Sequence, residues 1–127
     1  MSETIQSICI LDDDSSVLRS LQQLLDSDGF EARAFDNPDK FLAYAQEHAV
    51  TLVLLDVWMP GTNGLELQAR LNEVSPDTEV IVMTARETPA IRTAALEAGA
   101  FAFVRKPFDD EAFLPLVHQA LRAVTGT

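Results

Sequence analysis

The sequence predicts an α/β fold of five consecutive strand–helix units, with a parallel sheet between two layers of helices. Two observations carry that prediction. Five short apolar or β-branched runs alternate with five longer stretches in which apolar residues recur at helical spacing. Four of those runs lead directly into a polar residue, namely Asp12, Asp56, Thr84 and Lys106. Near-continuous hydrophobicity suits strands covered on both faces, and alternating strands and helices with right-handed crossovers pair in parallel.

Ile8 to Leu11 is the first strand, ending at Asp12-Asp13-Asp14. The helix after it carries Val17, Leu18, Leu21, Leu24 and Leu25 on one face; Asp14 or Ser15 caps its start and Gly29 stops it. Phe30, Ala32 and Ala34 alternate with Glu31 and Arg33, as in a half-exposed edge strand. Asn37-Pro38 is a cap followed by a first-turn proline, opening a helix with Phe41, Leu42 and Ala45 inward. Thr51 to Leu55 is the third strand, and Pro60, Gly61 and Gly64 punctuate a turn beyond Asp56. The next helix, from about Leu65 to Val74, turns Leu67, Leu71 and Val74 inward. Ser75-Pro76-Asp77 breaks the chain before a fourth strand, Glu79 to Thr84. Thr88-Pro89 starts a helix with Ile91, Ala94, Ala95 and Ala98, and Gly99 ends it. Phe101 to Arg105 is the fifth strand, closing on Lys106-Pro107; the last helix uses Phe113, Leu114, Val117, Leu121 and Val124. Pro115 falls inside that last pattern and cannot donate an amide, which predicts a late start, a kink or a distorted first turn. For five such units the flavodoxin-like strand order 2-1-3-4-5 is the common solution.

Composition bounds the rest. A chain of 127 residues fits one domain, here 1–127, and 47% hydrophobic content with interspersed charge argues for a packed core. No apolar run approaches the ~20 residues of a membrane helix. The segment Met1 to Ser7 lacks a basic-then-apolar leader, so a cytoplasmic location is expected. The single cysteine, Cys9, excludes an internal disulfide and lies in an apolar run, as an inert buried thiol would. Nine basic against twenty acidic residues leave a net charge of −11, which counts against direct binding to nucleic acid or an anionic membrane. His48 and His118 lie on helix patterns with no partner motif and read as surface residues.

The topology gathers chemistry at one edge of the sheet. Asp12, Asp13, Asp56, Thr84 and Lys106 all fall at carboxyl ends of strands, and strands 1 and 3 flank the point where the order reverses. Taken singly, Asp12 to Asp14 can cap a helix, Thr84 can be an ordinary strand residue and Lys106 a solvated lysine. Their conjunction is the signal. Three carboxylates in one crevice repel unless one is protonated or all share a cation, and magnesium suits such a cluster. A carboxylate is also a competent nucleophile toward phosphorus, while Lys106 and a metal can meet the charge of a transferring phosphoryl group.

These residues resemble the CheY-like receiver domain of two-component response regulators. The resemblance spans about Ser7 to Val124 and rests on Leu11-Asp12-Asp13-Asp14, on Leu55-Asp56-Val57-Trp58-Met59-Pro60-Gly61-Thr62-Asn63-Gly64, on Met83-Thr84-Ala85 and on Lys106-Pro107-Phe108. It implies that Asp56 is the phosphoacceptor, charged by a phosphohistidine on a sensor histidine kinase or phosphotransfer protein. It implies that Asp13 ligates Mg2+ directly, that Asp12 holds a metal-bound water, and that the Trp58 carbonyl completes the set with Asp56. Lys106 would bind phosphate, with a cis bond to Pro107. Thr84 would be the switch hydroxyl and Phe103, where many members carry tyrosine, the aromatic that turns inward behind it. Trp58 and Arg86 would gate the attacking water, and Thr62, where many members carry methionine, is a mild departure.

The resemblance further implies a two-state surface built from helix 4, strand 5 and helix 5, through which homodimerisation is open but not compelled. Such a protein would catalyse only its own phosphorylation and dephosphorylation. A phosphatase of the haloacid dehalogenase type would need a second acid two residues after Asp56, where this chain has Trp58. A receiver-shaped docking module that is never phosphorylated is the remaining alternative, and the five intact site residues argue against it. No helix-turn-helix follows the last helix, so either a stand-alone receiver or a piece of a longer regulator is expected, with its output partner unknown.

Overall fold

The computed structural model describes residues 7–59, 62–86, 88–106 and 109–125. In chain order these form β1 (Ile8–Leu11), α1 (Ser15–Ser27), β2 (Ala32–Phe35), α2 (Pro38–Glu47), β3 (Leu52–Asp56), β4 (Trp58–Met59) and β5 (Thr62–Asn63). They continue with α3 (Gly64–Val74), β6 (Glu79–Thr84), α4 (Pro89–Glu97), β7 (Ala102–Arg105) and α5 (Asp110–Thr125). Five strands make one parallel sheet in the order β2-β1-β3-β6-β7. Setting aside the two-residue antiparallel pair β4–β5, this is the expected order 2-1-3-4-5.

The strands divide their side chains by simple alternation. Cys9, Leu11, Val53, Leu55, Val80 and Val82 face a layer supplied by Phe41 and Leu42 of α2, Leu67 and Leu71 of α3 and Ala95 of α4. Ile8, Ile10, Leu52, Leu54, Ile81 and Met83 face the other layer, with Leu18, Leu21 and Leu25 of α1 and Phe113, Val117 and Leu121 of α5. Each such large side chain contributes about 1.5–3 kcal/mol by leaving water, so the central strands β1, β3 and β6 are the fixed frame. Cys9 belongs to this core at 0% exposure, and burial, opposed only by nearby Arg33, pushes its thiol up to about 12.

Capping follows the sequence. Asp14 caps α1 by accepting the Ser16 amide and hydroxyl, which also holds its carboxyl below the usual range. Asn37 accepts the Asp39 and Lys40 amides at the start of α2, and Thr88 accepts the Ile91 amide at the start of α4. One expectation needs correction. Val74 is 37% exposed rather than inward, at the last residue of α3, where the following turn no longer covers it. Of the three outcomes expected at Pro115, the late start does not occur: α5 begins at Asp110, where Asp109 accepts the Glu111 amide on its side chain, and runs through an exposed Pro115. The histidines lie at the surface as expected, His48 exposed and the His118 side chain 44% exposed. His118 Nε2 lies 2.7 Å from Asp28 Oδ2 with its ring edge-on to Phe30, and His48 stacks on Tyr44.

Candidate functional site

The strand register assembles the site. Leu11 is paired with Leu55, so the next residues, Asp12 and Asp56, emerge side by side from β1 and β3. Thr84 closes β6 opposite Arg105, and the Lys106 amide extends that ladder by donating to the Thr84 carbonyl at 2.7 Å. Asp12, Asp56 and Thr84 are all buried, Asp13 is exposed and Lys106 is half-buried.

One ligand oxygen from each of Asp12, Asp13 and Asp56 lies within 4.8 Å of the others. The Lys106 ammonium reaches into this group, 2.5 Å from Asp12 Oδ2 and 3.4 Å from Asp56 Oδ2. Burial alone would depress its pKa, but the bond and charge of Asp12, then the charge and bond of Asp56, outweigh that effect and leave it above the ordinary lysine value. One ammonium against three carboxylates leaves the cluster negative, and an all-oxygen donor set of this kind fits a hard divalent cation. Both oxygens of Asp12 are already engaged, Oδ2 by Lys106 and Oδ1 by the Asp14 amide at 3.0 Å. Asp13, facing solvent, is the carboxylate open to an arriving ion.

Thr84 and Phe103 have side-chain contacts of their own. The Thr84 hydroxyl accepts the Arg86 amide and donates to the Arg86 carbonyl, both at 3.0 Å. Phe103 is half-buried on the face of α2, α3 and α4, with the Arg92 guanidinium 5.6 Å from its ring centre. Trp58 lies in β4, paired with Asn63. Its side chain and the Lys106–Pro107 bond fall outside the described residues, whereas Arg86 is placed at the exposed loop after β6.

Two supporting residues were hidden among turn signals. A Cβ on Gly64 would sit 2.4 Å from the Val57 Cα, so only glycine lets α3 start against the residue that follows Asp56. Asn63 caps α3 by accepting the Leu65 and Glu66 amides. The pair Asn-Gly before a periodic stretch was the available sign.

A family model described as the response regulator receiver domain matches residues 8–118. The transcriptional regulatory protein YkoG of Bacillus subtilis is 37% identical over 115 residues, covering 91% of this chain and 50% of the relative. The chain thus spans about half the length of that relative. A CheY-like receiver domain protein from Methanospirillum hungatei superposes with a TM-score of 0.91 at 26% identity, over 97% of this chain and 98% of the other. The beryllofluoride-activated NtrC4 receiver domain dimer gives a TM-score of 0.88 at 29% identity, over 93% and 98%. With the fold, the sheet-edge acids and these likenesses in agreement, the chain belongs to the response regulator receiver domains of two-component systems.

Proposed function

We propose that this receiver is a phosphoacceptor switch in which Asp56 takes a phosphoryl group from a phosphohistidine on a sensor histidine kinase or phosphotransfer protein. The observation that carries the reading is the meeting of Asp12, Asp13 and Asp56 within 4.8 Å, with the Lys106 ammonium on two of them. An Asp56 carboxylate oxygen would form the bond to phosphorus as the phosphorus–imidazole nitrogen bond breaks, the nitrogen keeping the electron pair. Lys106 would follow the charge from carboxylate to phosphoryl oxygen. Asp12, Asp13, Asp56 and the Trp58 carbonyl would hold Mg2+, which when bound supplies positive charge to the phosphoryl oxygens.

Phosphorylation would then compete for Thr84. Its hydroxyl would leave the Arg86 backbone for a phosphoryl oxygen, Phe103 would turn inward, and the surface of α4, β7 and α5 would change. That surface is where we place the output partner and any homodimer. Trp58 and Arg86 flank the site and would set the rate of hydrolysis. In this reading the protein acts on no outside substrate and works in the cytoplasm. Among the described residues, no helix is long and apolar enough to cross a membrane.

Incubation with a small phosphodonor and Mg2+, followed by intact mass, tests the proposal. One phosphoryl adduct is expected, absent from Asp56→Asn and from chelator-treated protein. An adduct that persists in Asp56→Asn would place the chemistry elsewhere. No adduct, together with no response to beryllofluoride, would favour the unphosphorylated docking module.

A further inference from the structure

α4 links the two residues assigned to the switch. The loop after Thr84 leads into it, and Gly99, at φ 101°, leads out of it toward β7 and Phe103. Yet α4 buries only Ala95 among the described residues. Its last turn is held from α3 by two side-chain amides. Gln68 Nε2 donates to the Ala95 carbonyl at 3.1 Å, and Asn72 Nδ2 donates to the Ala98 carbonyl at 2.8 Å. Gln68 and Asn72 are four residues apart and so stand on one face of α3. Their targets are among the carbonyls that a helix end leaves without a partner in its own helix.

Gln68 is 0% exposed, and among the described residues its Oε1 has no hydrogen-bond partner. Turning the amide over would set that oxygen against the Ala95 carbonyl and leave the NH2 unpaired, so the orientation is fixed by its surroundings. A buried acceptor without a donor is unfavourable. The same side chain therefore both secures this seating of α4 and leaves it less than fully satisfied. Helix packing alone does not call for a glutamine there. Leucine would serve a purely apolar seam.

We infer that Gln68 and Asn72 form a two-amide latch that seats the carboxyl-terminal turn of α4 in the unphosphorylated receiver, and that moving α4 requires its release. The regulatory consequence rests on the phosphoacceptor reading, whereas the latch itself does not. If α4 shifts when the site is charged, the latch opposes that shift, and removing it raises the apparent affinity of the site for a phosphoryl mimic.

The experiment is amide hydrogen exchange on the intact protein, followed by titration with beryllofluoride and Mg2+. Asn72→Ala is a surface change away from the core, and it should speed exchange in α4 roughly three- to tenfold while leaving α2 as in the wild type. It should tighten beryllofluoride binding by a similar factor. Gln68→Leu removes the buried amide and its orphan oxygen together and should act in the same direction. Unchanged exchange in α4 of Asn72→Ala, or a rise shared equally by α2, would overturn the latch. Faster α4 exchange with unaltered beryllofluoride affinity would remove its regulatory role. Faster α4 exchange in a protein that binds no beryllofluoride at all would keep the latch and reject the phosphoacceptor reading instead.

Discussion

α2 and α4 open with the same device and are seated in different ways. Each begins with a capping side chain and a proline, Asn37-Pro38 and Thr88-Pro89, and each lies over the same face of the sheet. α2 drives Phe41, Leu42 and Ala45 into the core. Around it, Phe35 meets Phe41 and Tyr44 at ring separations of 5.6 and 5.4 Å, and Arg33 covers Tyr44. α4 offers Ala95, a half-buried Ile91 and a Leu96 that is 42% exposed, with Arg92 laid over Phe103. A helix seated by apolar volume cannot shift without opening a cavity. One held by amides and a cation over a ring can exchange those partners for water at small net cost. The difference locates mobility without any appeal to flexibility as such: it belongs where volume is scarce and hydrogen bonds do the holding.

The sharpest test of that contrast is a pair of truncations. Phe41→Ala should destabilise the protein by about 3–5 kcal/mol, whereas Ile91→Ala, at a half-buried position, should cost about 1 kcal/mol. Urea unfolding measures both. Equal losses would break the comparison.

A second test asks whether the charged site is independent of either helix. Lys106→Met removes the ammonium from two buried carboxylates and should cost about 2 kcal/mol, less than for a fully buried pair because Lys106 is partly exposed. Since the folded-state pKa of Lys106 is raised, its contribution is present in full below the unfolded value of about 10.5 and is lost as pH rises through the folded value. The gap between wild type and Lys106→Met should therefore be constant at neutral pH and close above that value. A gap that widens with pH would contradict the assigned direction.

A third test concerns the metal. Mg2+ at about ten times its dissociation constant should stabilise the wild type by about 1.4 kcal/mol, seen as a rise of several degrees in Tm. The rise should vanish in Asp13→Asn and survive in Asn72→Ala. Loss of the metal effect in Asn72→Ala would mean that the acids and the α4 seam are not separable.

Much of this was legible in the chain because strand ends and helix starts announce themselves locally. Leu55-Asp56 marks the place where an apolar run meets the carboxyl edge, and Asn37-Pro38 and Thr88-Pro89 mark helix entries within two residues. What escaped is what depends on distant partners. Val74 keeps the three-residue spacing from Leu71, but spacing does not say whether the last residue of a helix finds a neighbour to cover it. Gln68 and Asn72 carry no sign of their role, since their acceptors are backbone carbonyls 27 and 26 residues away that no side-chain pattern betrays. The contact of His118 with Asp28 spans 90 residues and leaves no local mark either.

Cys9 has a practical consequence of another kind. An alkylating probe is attacked by thiolate at an accessible sulfur, and Cys9 offers neither, being wholly enclosed with its thiol pushed up to about 12. The chain contains no other cysteine. A cysteine introduced on the outer face of α4, at Leu96 for example, would then be the one thiol that takes a fluorophore or spin label. Any movement of α4 can then be watched in solution without first rebuilding the core.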